Sequence, residues 1–459
     1  MQEKEPRSSS GVARPIKITT GTRIKDGASI ELLAGSNGDD LNLLLWDRTN
    51  AVIGHRVEHC GTTYEPATID ASIRRAVRLP SGVAEFGSTR DLFSEICGVI
   101  AQSSNLADEA VSLSAHFVCS TWFPERTGVA PFLFVNSSAT AGRASFLRLL
   151  DALCMHPIKL TEIKAADFRS LPLDLRLTVL MDVAAPKPSL LQILRASNQP
   201  DFCVSSGGTF VNLFCAKVLC SQEPLKDPAS LDFPLQISLP PAASPIPHFN
   251  QDIAETIAAE FQPKLLQYRL TQLNEATSAP TLDVKGLTDP IAMLARTLAA
   301  GVSGDESLRS GLVALLRTRD CEISAERSAG LEAVVVEALL FCCHDGNRSA
   351  VRVKELTDYA NEILRGRGVD HGISPESVGW RLRGLGFHTQ AIGSAGKGIS
   401  LDGGTVARIH RLARDFEVRS LESGSRCPSC VPASGADAAN GTGRFSSDRE
   451  PDDGMDLKV

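Results

Sequence analysis

The hydrophobic pattern changes its period several times along the chain, and the changes divide it into segments. From Ile16 to about Pro66 short apolar runs, "IKITT", "SIELLAG", "LNLLLWD", "AVIGHRVEHCG" and "TTYEP", are separated by turn signals such as "KDG" and "SNGDD". This spacing predicts a small β-rich module over 15–70. From Ser88 onward apolar residues recur at helical spacing in "TRDLFSEICGVIAQ" and "DEAVSLSAHFVCSTWF". Ser88-Thr89 precedes Arg90-Asp91, a sequence suited to capping the first of these helices. Strand and helix patterns then alternate over 131–240. "PFLFVN", "LTVLMDV", "TFVNLFCAKVLCSQ" and "PLQISLPP" read as strands; "RASFLRLLDALC" and "SLLQILRASN" read as helices. Near-continuous apolar strands alternating with helices predict a largely parallel sheet with helices on its faces.

A Pro-rich linker, "PPAASPIPHF", occupies 240–249, and 250–325 reads as helical. The stretch 328–418 has its own order: an apolar helix "LEAVVVEALLFCC", a short strand in "SAVRVKEL", a helix "KELTDYANEILRGRG", a helix "SPESVGWRLRGLGF", two strands around the glycine turn of "HTQAIGSAGKGISL", and a helix "GTVARIHRLARDF". That is the order of a winged helix. Ser374 suits the N-cap of its third helix, Pro375 the first turn and Glu376 the positive helix end. Residues 1–14 and 420–459 are polar and aperiodic and are expected to be disordered.

The composition is that of an ordinary soluble globular protein: 459 residues, 43% hydrophobic and 22% charged, with a net charge of −7. The net charge excludes a global attraction to nucleic acid, so any basic surface must be local. No apolar stretch reaches membrane-spanning length, and the polar start lacks the core of a signal peptide, so a cytoplasmic protein without membrane contact is expected. Most of the 12 cysteines lie in apolar contexts and read as reduced core residues. Cys427 and Cys430 form one CxxC without a second ligand pair, which is weak support for a metal; no metal site is expected.

The stretch "PFLFVNSSATAGRASFLRLL" outlines a strand, a small-residue loop and a helix. A phosphate-binding loop, G-x-x-x-x-G-K-[ST], uses glycines so that amides converge on phosphate, a Lys for charge and a hydroxyl for Mg²⁺. Laid on this chain, the pattern gives Ser137, Gly142, Arg143 and Ala144. Gly142 alone is kept. Arg143 retains charge in a planar fork rather than a compact point, Ala144 cannot bind a metal, and the Ser145 hydroxyl falls about 100° away around the helix. In P-loop ATPases a second apolar strand ends in an Asp that serves Mg²⁺, usually followed by a catalytic Glu. "TVLMDV" supplies Asp182 there, followed by Val183, which cannot act as a base. Where an arginine finger is expected, Asp232 is followed by Phe233. An ordinary βα turn gives the same local pattern, and residues 137, 142, 143, 144 and 182 stand as a vestigial nucleotide site.

The order of "GSTRDLFSEI", "HFVCSTWFPERTGVAPFLFVNSSATAGRASFLRLLDAL", "LRLTVLMD", "LLQILRASN", "AKVLCSQEPLKDPASLDFPLQISLPP" and the C-terminal stretch resembles bacterial AAA+-type ATPases of the primase-helicase-like group, found in phage- and plasmid-derived replication proteins. The similarity covers roughly residues 88–416. It implies an α/β class with a P-loop-like parallel core over 85–240, helices on both faces and a C-terminal winged helix. It implies ATPase activity only for members that keep the motifs missing here, so neither catalytic residue nor cofactor is expected; ATP and Mg²⁺ belong to the alternative reading.

On the third helix of 328–418, Val378, Leu382 and Leu385 share one face, leaving Ser377, Trp380, Arg381 and Arg383 away from it. A recognition helix places such residues in a major groove, and Lys397 at the wing would meet a phosphate. Residues 345–419 contain 12 Lys+Arg and 9 Asp+Glu, a local +3. Three functions stay open: a non-catalytic replication-type protein whose C-terminal part binds DNA, an active ATPase with a non-standard loop, and a scaffold that binds protein only.

Overall fold

The computed structural model describes residues 15–35, 40–206, 208–225, 231, 234–240, 249–275, 282–344, 348–369, 371–392 and 396–418. Both expected disordered ends, most of the Pro-rich linker, Asp232, Phe233, Cys427 and Cys430 lie outside them. The chain divides into two compact units, residues 1–320 and 321–459.

The first unit opens with seven strands: β1 (Ile16–Thr19), β2 (Gly21–Arg23), β3 (Ser29–Ala34), β4 (Leu41–Trp46), β5 (Ala51–Gly54), β6 (Val57–His59) and β7 (Thr62–Pro66). β2-β3-β4-β5 form an antiparallel sheet and β1-β7-β6 a second, smaller one. A short helix α1 (Ala71–Ala76) is followed by α2 (Thr89–Ser103) and α3 (Asp108–Thr121). Ser88 caps α2 as its sequence predicts. Its hydroxyl accepts from Asp91 N–H while the Asp91 carboxylate accepts from Ser88 N–H, so two otherwise unsatisfied helix-end donors are paired reciprocally.

Next come β8 (Phe132–Asn136), α4 (Thr140–Leu153), β9 (Pro157–Thr161), α5 (Ala165–Phe168), β10 (Thr178–Asp182) and α6 (Pro188–Ala196). They are followed by β11 (Cys203–Ser206), β12 (Thr209–Asn212), β13 (Ala216–Ser221) and β14 (Leu235–Ser238). Five of these strands form one parallel sheet in the order β14-β8-β13-β10-β9. The fold is thus the expected mixed α/β class, with a P-loop-like parallel sheet, flanking helices and small antiparallel sheets. The continuous apolar pattern of β8 and β10 reflects burial on both faces. Phe132, Phe134, Val179 and Met181 share a cluster with α6 (Leu190, Ile193, Leu194) and with Ile30, Leu32 and Leu43 of the β module. The intervening Leu133, Val135 and Leu180 are equally inaccessible.

"TFVNLFCAKVLCSQ", expected as one strand, is two. Phe214 N–H donates to the Asn212 side-chain oxygen at 2.8 Å, a local turn that competes with strand pairing. β12 therefore turns back on β11 in an antiparallel hairpin, and only β13 joins the parallel sheet.

Helices α7 (Gln251–Glu275) and α8 (Asp289–Ala299) complete the first unit, and α9 (Glu306–Ala329) runs across the boundary. Arg269 of α7 is buried, and its Nε donates to Glu31 Oε1 of β3 at 3.0 Å. Its Nη1 donates to Glu125 at 2.9 Å, and Arg176 Nη1 lies 3.3 Å from Glu31. Burial raises the Glu31 carboxyl, but the charges of Arg269 and then Arg176 outweigh it and hold the group below its ordinary range. No helix among the described residues is long and apolar enough to cross a membrane.

The second unit holds α10 (Leu331–His344), β15 (Ala350–Arg352), α11 (Val353–Gly366), α12 (Pro375–Gly384), β16 (Gln390–Ala391), β17 (Lys397–Ser400) and α13 (Gly403–Asp415). β17 lies between β15 and β16, antiparallel to both. Val334, Leu339, Leu356, Val378, Leu382, Ile399 and Ile409 belong to one core.

Candidate functional site

In the parallel sheet β8 connects forward to β9 at one edge, whereas its neighbour β13 connects to β14 at the other. The carboxyl ends of β8 and β13 therefore flank the point where the chain reverses direction across the sheet. Ligands of open α/β sheets bind at such points. Ser137 follows β8 there, with its N–H donating to Ser221 O at 3.0 Å, and Asp182 ends β10 beside them.

The loop itself is short. Helix α4 begins at Thr140, leaving three residues, Ser137 to Ala139, between strand and helix. Gly142 and Arg143 consequently lie in the first turn of α4 rather than in a loop that could encircle a phosphate. Arg143 folds back into the space. Its Nε donates to Asp182 Oδ1 at 2.9 Å, its Nη1 to the Ser137 carbonyl at 2.7 Å, and its Nη2 reaches Thr140 Oγ1 at 3.5 Å. The Arg143 side chain is 3% exposed and that of Asp182 19%. A loop that holds phosphate directs amides inward. Here the Ser137 carbonyl is taken by Arg143, and the Ser137 hydroxyl accepts from Ala139 N–H at 3.2 Å.

The Asp182 carboxylate, which stands where a P-loop ATPase serves Mg²⁺, is paired with Arg143. Ala144 lies partly buried in the same turn of α4, and Val183 is buried in the apolar core. Burial pushes the neighbouring Cys220 thiol up, with a further rise from the Asp182 charge. The cavity beside Gly142, lined also by Ser104, Ser145, Phe146 and Leu239, measures about 20 Å³, roughly the room one water needs.

The second candidate is a cleft of about 420 Å³ in the C-terminal unit, bordered by α12, the start of α11 and β17. Arg352, Lys354, Arg383 and Lys397 line it together with one carboxylate, Glu376. All four cations are exposed. Ser374 caps α12 by accepting from Ser377 N–H, and the cap sets which residues of the helix face the cleft. Pro375, Glu376, Gly379 and Arg383 do so. Trp380, one residue from Gly379, is 64% exposed.

Two of the expected recognition residues point elsewhere. Arg381 reaches back to the Ser377 hydroxyl and carbonyl on its own helix, and its Nε lies 3.2 Å from Glu332 on α10. The reason is helical geometry. Residues four apart stack on one stripe, and the Ser377–Arg381 stripe adjoins α10. Arg352 and Lys354 were missed. They are brought to the cleft by β15 and α11, and their only signal in the sequence is the alternation of charge in "VRVKEL".

No family model matches the chain, and no curated protein does. Among solved structures it is similar to the apo C-terminal region of NrS-1, at 12% identity and a TM-score of 0.35, over 81% of this chain and 96% of that one. It is also similar to a full-length MCM homolog from Methanopyrus kandleri, at 11% identity and a TM-score of 0.33, over 64% and 78%. A chain of Drosophila ORC bound to DNA is similar at 12% identity and a TM-score of 0.20, over 76% and 96%.

Proposed function

We propose that this chain is a non-catalytic, P-loop-like protein of replication-type ancestry that binds duplex DNA through a winged helix over 328–418. The observation that carries the binding reading is the convergence of four exposed cations on one cleft beside an N-capped helix, against a chain of net charge −7. Phosphates would be neutralised by Arg352, Lys354 and Lys397, while Arg383 and Trp380 on α12 would approach base edges. Ser377 and Arg381, engaged within the unit, would orient α12 rather than touch DNA.

The non-catalytic reading rests on Arg143. Its guanidinium takes the place where a Lys would meet nucleotide phosphate, and Asp182, the candidate metal carboxylate, neutralises it. A nucleotide would have to break this buried pair and lengthen a three-residue loop before binding. Neither Ala144 nor Val183 supplies a metal ligand or a base.

Fluorescence anisotropy of the full chain with duplex DNA tests the proposal. Binding is expected at low salt with a dissociation constant of about 10⁻⁴–10⁻⁶ M, and with a log–log salt slope of about −3 to −4 if all four cations meet phosphates. Adding ATP and Mg²⁺ should change neither value. Absence of binding at low salt would transfer the C-terminal unit to protein recognition. ATP-dependent binding would show that nucleotide still enters the loop, and phosphate release abolished by Asp182→Ala would establish a working ATPase.

A further inference from the structure

The turn between β6 and β7 contains two residues, Cys60 and Gly61, with φ of 47° and 75°. Two central residues with positive φ are the mark of the tight hairpin turn in which Asn-Gly is strongly favoured. Cysteine gains nothing from that backbone, and an L-residue other than Asn or Asp is uncommon there. A strained backbone of this kind calls for a reason in the side chain.

The Cys60 thiol points to the β2–β3 connection. Asp26 in that connection has its two carboxylate oxygens divided between two tasks. Oδ1 accepts from Ala28 N–H at 3.0 Å, which fixes the side chain. Oδ2 lies 2.5 Å from His59 Nε2 and 3.6 Å from Cys60 Sγ. The three candidate ligand atoms, one oxygen, one nitrogen and one sulfur, all lie within 4.8 Å of one another. Tetrahedral coordination with bonds of about 2.0–2.3 Å requires ligand atoms roughly 3.3–3.8 Å apart, so a small rearrangement of the exposed Asp26 and Cys60 side chains about the half-buried His59 closes the set. Arg48 donates to the Asp26 carbonyl, not to its carboxylate. The nearby Asp47 carboxylate accepts from the Thr49 and Asn50 amides and is occupied.

We propose that Asp26, His59 and Cys60 bind a Zn²⁺-like divalent cation, with water completing the coordination, and that the cation clasps the ends of the two N-terminal β-sheets. A mixed oxygen, imidazole and thiolate set suits a borderline-soft ion and excludes Mg²⁺ and Ca²⁺, which take oxygen ligands. The cation would displace the Cys60 thiol proton to solvent as the sulfur–metal bond forms, so binding is accompanied by proton release.

The test uses the full chain carrying Cys427→Ser and Cys430→Ser, which removes the CxxC pair as a competing ligand set, with Co²⁺ as the probe. One equivalent should bind and produce a thiolate-to-cobalt charge-transfer band, and Zn²⁺ should bleach it. Cys60→Asn should abolish the band without harming the fold, since Asn suits the turn. Asp26→Asn, which keeps an acceptor for Ala28 N–H, should weaken binding at least about 10-fold, the lower end of what losing a supporting group around a metal costs. No band at millimolar Co²⁺, or a band that survives Cys60→Asn, would overturn the proposal.

Discussion

At the end of β8 the Arg143 guanidinium is buried against Asp182 and the Ser137 carbonyl; beside α12 the Arg383 guanidinium stands exposed at the edge of a cleft shared with three other cations. The two arginines differ in what surrounds them rather than in chemistry. Arg143 is inaccessible, so its charge is spent inside the fold, and loss of its partner would leave an uncompensated buried ion. Arg383 is hydrated, so its charge contributes little to folding and remains available to a polyanion. A positive side chain near a loop is thus not in itself a binding feature; the partner already in contact with it decides.

The sharpest test of this contrast is Asp182→Ala. It strands the buried Arg143, and breaking a buried pair in this way costs about 3–5 kcal/mol. Guanidinium chloride melts should show that loss, and DNA affinity under native conditions should be unchanged. A variant as stable as the parent would mean that Arg143 is not held as described.

Acid should act on the loop-bearing unit next. His156 is buried, its Nδ1 lies 2.7 Å from the Leu175 carbonyl, and burial lowers its pKa to about 4; burial lowers that of His116 to about 3. Both are neutral in the fold, whereas the unfolded chain takes up protons below the ordinary value of 6.5. Their contribution to stability is complete above pH 6.5 and fades as pH falls toward 4. For His156 alone this is about 3 kcal/mol. Denaturant midpoints at pH 7.5 and 4.5 check it, and a flat profile would contradict the burial of both rings.

Substitutions at the cleft should be smaller and should appear in binding. Arg383→Ala should cost about 1–3 kcal/mol at a preferred sequence if it reads a base edge, with stability within about 0.5 kcal/mol of the parent. Lys397→Ala should weaken all sequences alike and lower the salt slope by about one unit. The smallest effect is expected for Arg381→Ala. Losing its partly exposed pair with Glu332 should cost at most about 1 kcal/mol of stability and leave DNA affinity unaltered. A binding loss at Arg381 as large as that at Arg383 would dissolve the distinction between the two faces of α12.

Much of this frame is written in local periodicity. The continuous apolar runs of β8 and β10, the helical spacing of α2 and α3, the Ser88 cap and the order of elements in the C-terminal unit are all legible because each depends on residues a few positions apart. The sites are less legible, for the same reason inverted. Arg143 reads as a degenerate Lys until Asp182, 39 residues away, is seen to claim it. The cleft joins side chains from β15, α11, α12 and β17, and no local pattern assembles them. β9 escaped notice because "PIKLT" places Lys159 in the middle of a strand, where it pairs with Asp151 at 2.9 Å. Asp26 and Cys60 come from turns of different sheets and have no spacing to advertise them.

The Glu31–Arg269 pair joins positions 238 residues apart, and this has a consequence for how the first unit opens. A carboxylate and a guanidinium that are both inaccessible cannot separate without exposing two charges that each need the other. β3 therefore cannot peel away while α7 stays docked. In native-state hydrogen exchange the amides of β3 and of the middle of α7 should share one opening free energy and one denaturant dependence, as a single foldon whose ends are distant in the chain. Synthesis order matters for the same reason: the N-terminal strands are made well before Arg176 and Arg269, so Glu31 meets the two cations that neutralise it only after much of the first unit has been synthesised.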